Sequence, residues 1–275
     1  MWLEIHPTNI STKGMSKVFD LHPQPQNDYE VRIVIYDTEG IDCEGDAEGT
    51  SDVFIKAHID DKDKKETDTH FRCTNGKASF NYRLLYKVKA PRNNYMLTLQ
   101  TWDRDLFKSN DFLGEIQLPL GPLFEDAILS QKGIDFNKKY YESYVKGQFE
   151  KMKVNERLGI KFYDEDSFFI ETYDKEGKSA GKVRIGVTIT SGDLSLANPV
   201  GQGRTEPNHS PFLPPPVGRI AFTMNPFAML AQLLGPKIMG KIYFYLCMAI
   251  CATLCVALLP MITSNIISAG ILSII

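Results

Sequence analysis

Between residues 29 and 190 the chain consists of short segments in which apolar and polar residues alternate or β-branched residues dominate. A period of two places the apolar side chains on one face of an extended strand. Turn signals separate these segments, among them Asn75-Gly76, a dipeptide typical of tight hairpins. Closely spaced strands with little helical periodicity predict an all-β fold, an antiparallel sandwich. The segments with the clearest strand pattern are 31–36, 53–59, 80–88, 95–102, 112–118 and 183–190.

Two regions interrupt this pattern. Residues 121–182 are irregular, apart from a short predicted helix near 123–129 and a predicted hairpin that begins with the strand 168–173. The region after the last strand is rich in Gly, Pro, Asn and Ser, and the run Pro-Pro-Pro at 214–216 stiffens it. The chain thus divides into an N-terminal extension, a β domain with an irregular insertion, and an extended juxtamembrane linker: residues 1–28, 29–190 and 191–241.

The chain becomes strongly apolar after Lys241, its last charged residue. The 18 residues from 242 to 259 are uncharged and mostly apolar. A helix over residues 242–264 is long enough to span a hydrocarbon core about 30 Å thick. The alternative is a buried core helix, although no remaining segment is long enough to wrap it. We therefore predict a transmembrane helix at 242–264, followed by a short apolar tail at 265–275.

The charges on either side of the apolar segment predict its orientation. Arg219, Lys237 and Lys241 precede the segment, and no basic residue follows it. Because positively charged flanks tend to stay in the cytosol, residues 1–241 are predicted to be cytosolic. The chain is then expected to be a tail-anchored, single-pass protein of the plasma membrane or of an intracellular vesicle. The glycosylation sequon at Asn208 is expected to carry no glycan.

Composition and motifs argue against several classes of function. The formal net charge is only −3, and the five cysteines follow neither a disulfide framework nor a zinc pattern. The sequence contains no P-loop, no His-Glu-x-x-His motif and no nucleophile motif. These observations predict a protein that is not an enzyme and has no nucleic-acid partner.

Two acidic loops carry the candidate chemistry, one before the strand at 53–59 and one after the strand at 95–102. Aspartate oxygens are hard ligands that suit Ca²⁺, and a bound cation would offset the repulsion between the carboxylates. A solvated acidic turn is the alternative for a single Asp-x-Asp, but the second loop favours one shared site. Asp42 is the next candidate if Asp46 points away from the others. The predicted ligands are Asp46, Asp52, Asp103, Asp105 and Asp111.

These loops and their flanking strands resemble the C2 domain. Residues 49–56, Gly-Thr-Ser-Asp-Val-Phe-Ile-Lys, resemble that family's Ser-Asp-Pro-Tyr-Val-Lys segment, with Val53 in place of the proline. Residues 102–105, Trp-Asp-Arg-Asp, and 110–114, Asn-Asp-Phe-Leu-Gly, resemble its third loop. The resemblance implies an eight-stranded antiparallel sandwich in which five aspartates at one end bind two or three Ca²⁺ ions.

A narrower resemblance covers most of the chain. Several short motifs, in the same order, are similar to the C-terminal end of a ferlin: its last C2 domain, a linker and a membrane anchor. Ferlins carry several C2 domains, so the chain is either a single-C2 relative or a fragment. The motifs are at residues 66–71, 79–83, 198–207, 214–219 and 225–227.

The ferlin resemblance implies a function. It implies Ca²⁺-dependent binding of anionic phospholipid in vesicle trafficking, membrane fusion or membrane repair, with fusion or trafficking proteins as further partners. The alternative is a Ca²⁺-independent adaptor, in which the sandwich binds a protein partner at a membrane and the aspartates bind no ion.

Two further sets of residues are candidate membrane contacts. Leu106 and Phe107 lie at the tip of the second acidic loop, where no strand alternation gives them a core to enter, and we predict that they insert into the bilayer. Lys62, Lys64 and Lys65 are weaker phosphoinositide candidates, because they alternate with aspartates and a solvated charged turn is the competing interpretation.

Overall fold

The computed structural model describes residues 25–43, 49–105 and 108–272. Eleven strands occur in these residues, and the six segments with the clearest strand pattern all fall within or overlap them. The strands are β1 (Asn27–Glu39), β2 (Ser51–His58), β3 (Lys65–Glu66), β4 (His70–Cys73), β5 (Ser79–Ala90), β6 (Met96–Asp103), β7 (Asp111–Pro119), β8 (Ile134–Asp135), β9 (Lys161–Phe162), β10 (Phe168–Tyr173) and β11 (Ser179–Ser191).

The strands form one antiparallel sheet that curls into a sandwich. Eight strands follow one another in the order β3-β2-β6-β7-β10-β11-β1-β5, while β4 pairs with β2, β8 with β11 and β9 with β10. Every pairing between these strands is antiparallel. The predicted all-β antiparallel sandwich is therefore confirmed. Strand β5 ends the path on one side, and β3 and β4 flank β2 on the other.

The core is built from the inward positions of the longest strands. Val31, Ile33 and Ile35 on β1 are fully buried, as are Val183 and Ile185 on the paired strand β11. Because side chains alternate between the two faces of a strand, these residues all reach the same core. Burying each such side chain contributes about 1.5–3 kcal/mol before the cost of conformational entropy.

The irregular region after β7 packs its own small elements onto this core. The predicted helix near 123–129 is confirmed as α1 (Gly121–Ser130), whose apolar face includes Phe124, stacked on Tyr95 with ring centroids 4.1 Å apart. The predicted hairpin is also confirmed, because β10 pairs with β11. Between them Phe136 lies against Phe168, with ring centroids 4.7 Å apart. The remaining helices are α2 (Lys138–Tyr140), a π-helical turn (Tyr141–Val145), α3 (Lys146–Lys151) and α4 (Asn155–Leu158).

Much of the predicted linker lies on the sandwich. It begins with helix α5 (Gly192–Ala197), and residues 198–219 then run across the domain from β5 to β4. We call residues 198–219 the strap. The antiparallel bridge between Gly203 and Arg83 of β5 is one of its attachments. An extended linker composition is therefore compatible with a firmly attached segment.

A long apolar helix ends the described part of the chain. Helix α6 (Pro226–Leu272) is interrupted at Gly235, whose φ of 82° is not helical. Residues Pro226–Asn265 include an 18-residue window with a mean hydropathy of 2.4, none of it buried inside the protein. By length and composition this helix can cross a membrane. It begins well before residue 242, the predicted start of the apolar span.

Candidate calcium and lipid site at the acidic loops

The ends of β2 and β6 place Asp52 and Asp103 side by side. Val53 pairs with Asp103 in the sheet register, and the Asp52 backbone N–H donates to Asp103 Oδ1 at 2.6 Å. The Arg104 N–H donates to the Asp52 carbonyl at 2.8 Å, which ties the second loop to the first. Only 3% of Asp103 is exposed. Sheet pairing therefore holds these two aspartates at the same end of the sandwich.

The second loop adds Asp105 and Asp111 to this end. Asp111 opens β7 and pairs with Asp103, and the loop is closed by the Asp105 N–H, which donates to Asn110 Oδ1 at 3.2 Å. The Lys108 ammonium lies between the two carboxylates, 2.7 Å from Asp111 Oδ2 and 3.5 Å from Asp105 Oδ2. The hydrogen bond to Asp111 raises the pKa of Lys108, so its side chain is a cation at neutral pH.

Asp105 carries a poorly satisfied carboxylate oxygen. Its side chain is 10% exposed, and among the described residues the shielded Oδ2 has no partner closer than the Lys108 ammonium. A buried carboxylate oxygen without a hydrogen bond is costly, and the ammonium at 3.5 Å offsets this only in part. The loop thus retains a strong acceptor that a closer cation would satisfy.

The described residues do not yet form a complete metal site. Across residues 25–43, 49–105 and 108–272, no group of three or more His, Cys, Asp or Glu side chains is arranged to hold a metal ion. Asp46 lies outside the described residues, so the predicted five-aspartate site stays a prediction. Asp42, the alternative ligand, is exposed on the first loop. The buried Asp105 oxygen is suited to bind a metal cation. In the present arrangement the Lys108 ammonium occupies the space between Asp105 and Asp111, so it would compete with such a cation.

The predicted membrane contacts divide into two cases. Leu106 and Phe107 lie outside the described residues. Among the three lysines, Lys64 is 3.6 Å from Asp61, and Lys65 is 3.4 Å from Asp63 and donates to the Leu85 carbonyl. These local pairings are typical of a charged turn, and phosphoinositide binding by Lys62, Lys64 and Lys65 stays a prediction.

Sequence reasoning missed a cationic and aromatic surface beside the acidic loops. On the outward face of β2, β6 and β7, the Trp102 and Phe112 rings meet edge to face with centroids 5.4 Å apart. Lys56 Nζ lies 4.5 Å from the Trp102 centroid, and Lys175 Nζ lies 5.7 Å from the Phe112 centroid. The signal was present, because alternation places Lys56 of β2 and Trp102 of β6 on one face. We call Lys56, Trp102, Phe112 and Lys175 the lysine–aromatic surface.

Comparison with known proteins agrees with the sandwich fold. The family model described as "C2 domain" matches residues 29–136. The chain contains a C2 domain. The sandwich extends beyond that match, because β10 and β11 complete the sheet and β11 pairs with β1. The C2 domain therefore includes β10 and β11 in addition to the matched residues.

Ferlins are among the homologues of this chain. Myoferlin of Xenopus tropicalis is 24% identical and the match covers 78% of this chain, while myoferlin of Mus musculus is 25% identical over the same share. Fer-1-like protein 4 of Mus musculus is 27% identical over 46% of the chain. The matches cover 12% of each myoferlin and 8% of Fer-1-like protein 4, so the chain spans a small part of these relatives.

A solved structure also resembles the fold. It is a C2 domain of plant Extended Synaptotagmin 1, which is 15% identical, with a TM-score of 0.37, over 59% of this chain and 94% of that domain.

Proposed function

We propose that this chain is a membrane-anchored, non-enzymatic protein whose C2 domain binds anionic phospholipid in a Ca²⁺-dependent way. The observation that carries the proposal is the strand pairing that places Asp52, Asp103, Asp105 and Asp111 at one end of the sandwich. There, among the described residues, a buried Asp105 oxygen has no partner closer than the Lys108 ammonium at 3.5 Å. The cellular process is vesicle trafficking, membrane fusion or membrane repair, as the ferlin homologues suggest.

Charge explains why Ca²⁺ is the proposed ligand. Four aspartates bring four negative charges to one end of the domain, and Asp46 of the first loop would add a fifth. Ca²⁺ accepts six to eight oxygen ligands in flexible geometry, which suits carboxylates on two loops. When bound, Ca²⁺ supplies positive charge that neutralises the loops and coordinates lipid phosphate. The ligands we assign are Asp46, Asp52, Asp103, Asp105 and Asp111.

The lysine–aromatic surface supports an anionic lipid as partner. Lys56 and Lys175 present ammonium groups over aromatic rings, close to the strand ends that carry Asp103 and Asp111. The two ammonium groups near the loops attract headgroup phosphates, and aspartates that held Ca²⁺ would no longer repel them. Leu106 and Phe107 at the loop tip are proposed to enter the interfacial region once the headgroups are bound.

Helix α6 is proposed to anchor the chain, with the C2 domain on the cytosolic side. Its apolar window is unburied, and Lys237 and Lys241 lie on the side of the C2 domain. Positive flanks favour the cytosolic side of a bilayer.

The test is Ca²⁺ titration of the full chain in a non-ionic detergent, followed by calorimetry. We expect Ca²⁺ binding, and an apparent affinity at least about tenfold higher when a water-soluble short-chain phosphatidylserine is present. In the proposed site Ca²⁺ and the lipid headgroup bind next to each other, so each ligand should raise the affinity for the other by the same factor. Short-chain phosphatidylcholine is the matched control and should have little effect.

Two outcomes would contradict the proposal. The absence of Ca²⁺ binding would favour the Ca²⁺-independent adaptor, in which Lys108 stays paired with Asp105 and Asp111. Ca²⁺ binding that is equally strong with and without phosphatidylserine would indicate a structural ion.

A further inference from the structure

The buried side chain of Arg83 on β5 holds the first half of the strap by hydrogen bonds. Its side chain is fully buried, yet its guanidinium donates to three strap carbonyls: Gly201 at 3.2 Å, His209 at 2.8 Å and Pro211 at 2.6 Å. A buried cation requires such acceptors, and in the described residues the strap supplies them. The strap is therefore part of the folded domain, because its removal would leave a buried charge without these partners.

The carboxylate of Asp68 binds two arginines of the strap, one near its start and one at its end. Arg204 donates to Asp68 Oδ2, and Arg219 donates to Asp68 Oδ1 at 2.6 Å. Each arginine also reaches the β5 backbone, Arg204 at the Phe80 carbonyl and Arg219 at the Ser79 carbonyl. These side chains are about one quarter exposed, so the pairs are shielded more than ordinary surface ion pairs.

The last attachment lies at β4. The Phe71 N–H donates to the Gly218 carbonyl at 2.8 Å. A Cβ atom at Gly218 would lie 2.2 Å from His70 Cε1, and the φ of 75° at this position also favours glycine. The close approach shows that the strap is seated on β4 up to residue 219.

This last attachment is next to the acidic loops. Phe71 bonds to the strap, and its neighbour Arg72 donates its backbone N–H to Asp52 Oδ1 at 2.8 Å. Two successive residues of β4 therefore contact the end of the strap and a predicted Ca²⁺ ligand. The chain leaves the C2 domain for helix α6 at the end of the sandwich that carries the aspartates.

The remaining tether is short. Six residues, 220–225, separate Arg219 from the first residue of α6, Pro226. Seven Cα–Cα steps span at most about 25 Å when fully extended. A chain released from residue 198 onward would span at most about 100 Å. Residues 226–241 of α6 lie before the predicted apolar span and add about 24 Å of helix. The acidic loops can therefore move about 50 Å from the span while the strap is attached, and more than twice as far once it is released.

We propose that the strap holds the acidic loops against the same bilayer that helix α6 spans, so that their lipid partner is the chain's own membrane and not an opposing one. This inference rests on the proposed function, because it takes α6 as a membrane span and the loops as a lipid site. It adds the identity of the partner membrane, which follows from the strap contacts and the tether length.

The test uses the full chain in nanodiscs, which offer only the chain's own bilayer. Discs that contain anionic lipid should raise the apparent Ca²⁺ affinity about tenfold or more relative to neutral discs. Chains in neutral discs should capture separate anionic vesicles poorly when Ca²⁺ is added. The double variant Arg204→Ala and Arg219→Ala removes both arginine pairs with Asp68, while Arg83 and Gly218 still hold the strap. It should weaken the first effect and increase vesicle capture.

The matched control is the double variant Lys77→Ala and Lys178→Ala, which removes two exposed positive charges outside the strap. It should behave as the unmodified chain does. A second measurement needs no change in the strap. With Trp2→Phe, Trp102 is the sole tryptophan, and it should transfer excitation to a dansyl-labelled lipid in the same disc before Ca²⁺ is added.

Failure of this inference is distinguishable from failure of the proposed function. If short-chain phosphatidylserine strengthens Ca²⁺ binding but anionic discs do not, the site is real and the orientation is wrong. Efficient capture of separate vesicles by the unmodified chain, or the absence of transfer from Trp102, would also overturn the orientation. If neither form of anionic lipid affects Ca²⁺ affinity, the lipid site itself fails and the inference fails with it.

Discussion

The strap and the acidic loops both concentrate charge, but they neutralise it differently. At the strap, Asp68 lies between two arginines, and Arg83 donates to three carbonyls, although Arg83 Nε and Arg219 Nε are buried without a partner among the described residues. At the loops, Asp105 and Asp111 share the ammonium of Lys108, and among the described residues a buried Asp105 oxygen has no partner closer than that ammonium at 3.5 Å. Charges that the protein matches internally stabilise its shape, whereas charges left poorly matched favour an external ligand.

The largest expected effect breaks the strap side of this comparison. Arg83→Ala removes a buried donor of three hydrogen bonds and leaves a cavity, so we expect the free energy of unfolding to fall by about 3 kcal/mol or more. Urea unfolding of the full chain in detergent measures this fall. Lys87→Ala on the same strand is the control, because Lys87 is exposed. A loss below about 1 kcal/mol would show that the strap contributes little to stability.

The second prediction concerns the loop side. Asp105→Asn keeps the shape of a buried side chain but removes its charge, so the Ca²⁺ affinity should fall about tenfold or more, equivalent to about 1.4 kcal/mol. Stability should change little or rise, because a poorly satisfied carboxylate is gone. Asp61→Asn, with a side chain 84% exposed, should leave Ca²⁺ binding unchanged. Equal Ca²⁺ affinity in both variants would remove Asp105 from the site.

The third prediction concerns Phe107. Phe107→Ala should weaken binding to anionic bilayers about tenfold, because burying one large apolar side chain contributes about 1.5–3 kcal/mol. The bilayer is presented either in the chain's own nanodisc or as separate vesicles. Leu129→Ala, at an exposed apolar residue of α1 away from the loops and the tether, is the control. Ca²⁺ binding and thermal stability should stay unchanged, and a large fall in stability would instead identify Phe107 as a core residue.

The fourth prediction sharpens the role of Lys108. Lys108→Gln removes the ammonium that competes with Ca²⁺ for Asp105 and Asp111, so the Ca²⁺ affinity should rise about threefold. Lys77→Gln should have no effect. Weaker Ca²⁺ binding by the Lys108 variant would mean that the lysine organises the loop and does not compete with the ion.

The smallest expected effect is a pH dependence at the strap. Burial, followed by the nearby Arg219 charge, lowers the pKa of His70, whose Nδ1 accepts the Ser79 N–H at 3.0 Å. The unfolded chain therefore binds more protons below the ordinary histidine pKa of about 6.5, and stability should decrease as the pH falls through that value. Urea unfolding at about pH 7.5 and about pH 5.5, on either side of that pKa, measures the decrease. The variant His70→Asn keeps an acceptor for the Ser79 N–H and should reduce the pH dependence of stability. An unchanged pH dependence in this variant would show that another group causes it.

The sequence predicted those parts of the molecule that depend on local periodicity. Alternation identified the long strands, because a two-residue period places one face in the core. Helix α1 and the β10–β11 hairpin were also predicted from signals that are local in the sequence. The apolar run before residue 260 identified helix α6 from composition alone.

The attachment of the strap was missed because its contacts are distant in sequence. Arg83 and Pro211 are 128 residues apart, and a composition rich in Pro and Gly is compatible with both a free linker and a seated strap. Lys108 was missed as a local cation because its position between two carboxylates depends on the closed shape of the loop. The lysine–aromatic surface depends on strand pairing, which brings Lys56 to Trp102 across two strands.

The most direct test of the Ca²⁺ site uses Trp102, which immediately precedes Asp103, as an internal antenna. Tb³⁺ binds hard oxygen ligands in place of Ca²⁺, and excitation of a nearby tryptophan sensitises its emission. In the Trp2→Phe chain we predict sensitised Tb³⁺ emission, which should fall when Ca²⁺ displaces Tb³⁺. The double variant Asp103→Asn and Asp105→Asn should abolish the emission. The double variant Asp60→Asn and Asp61→Asn should preserve it. Emission that is absent, or that persists in the Asp103 and Asp105 variant, would contradict a Ca²⁺ site at the acidic loops.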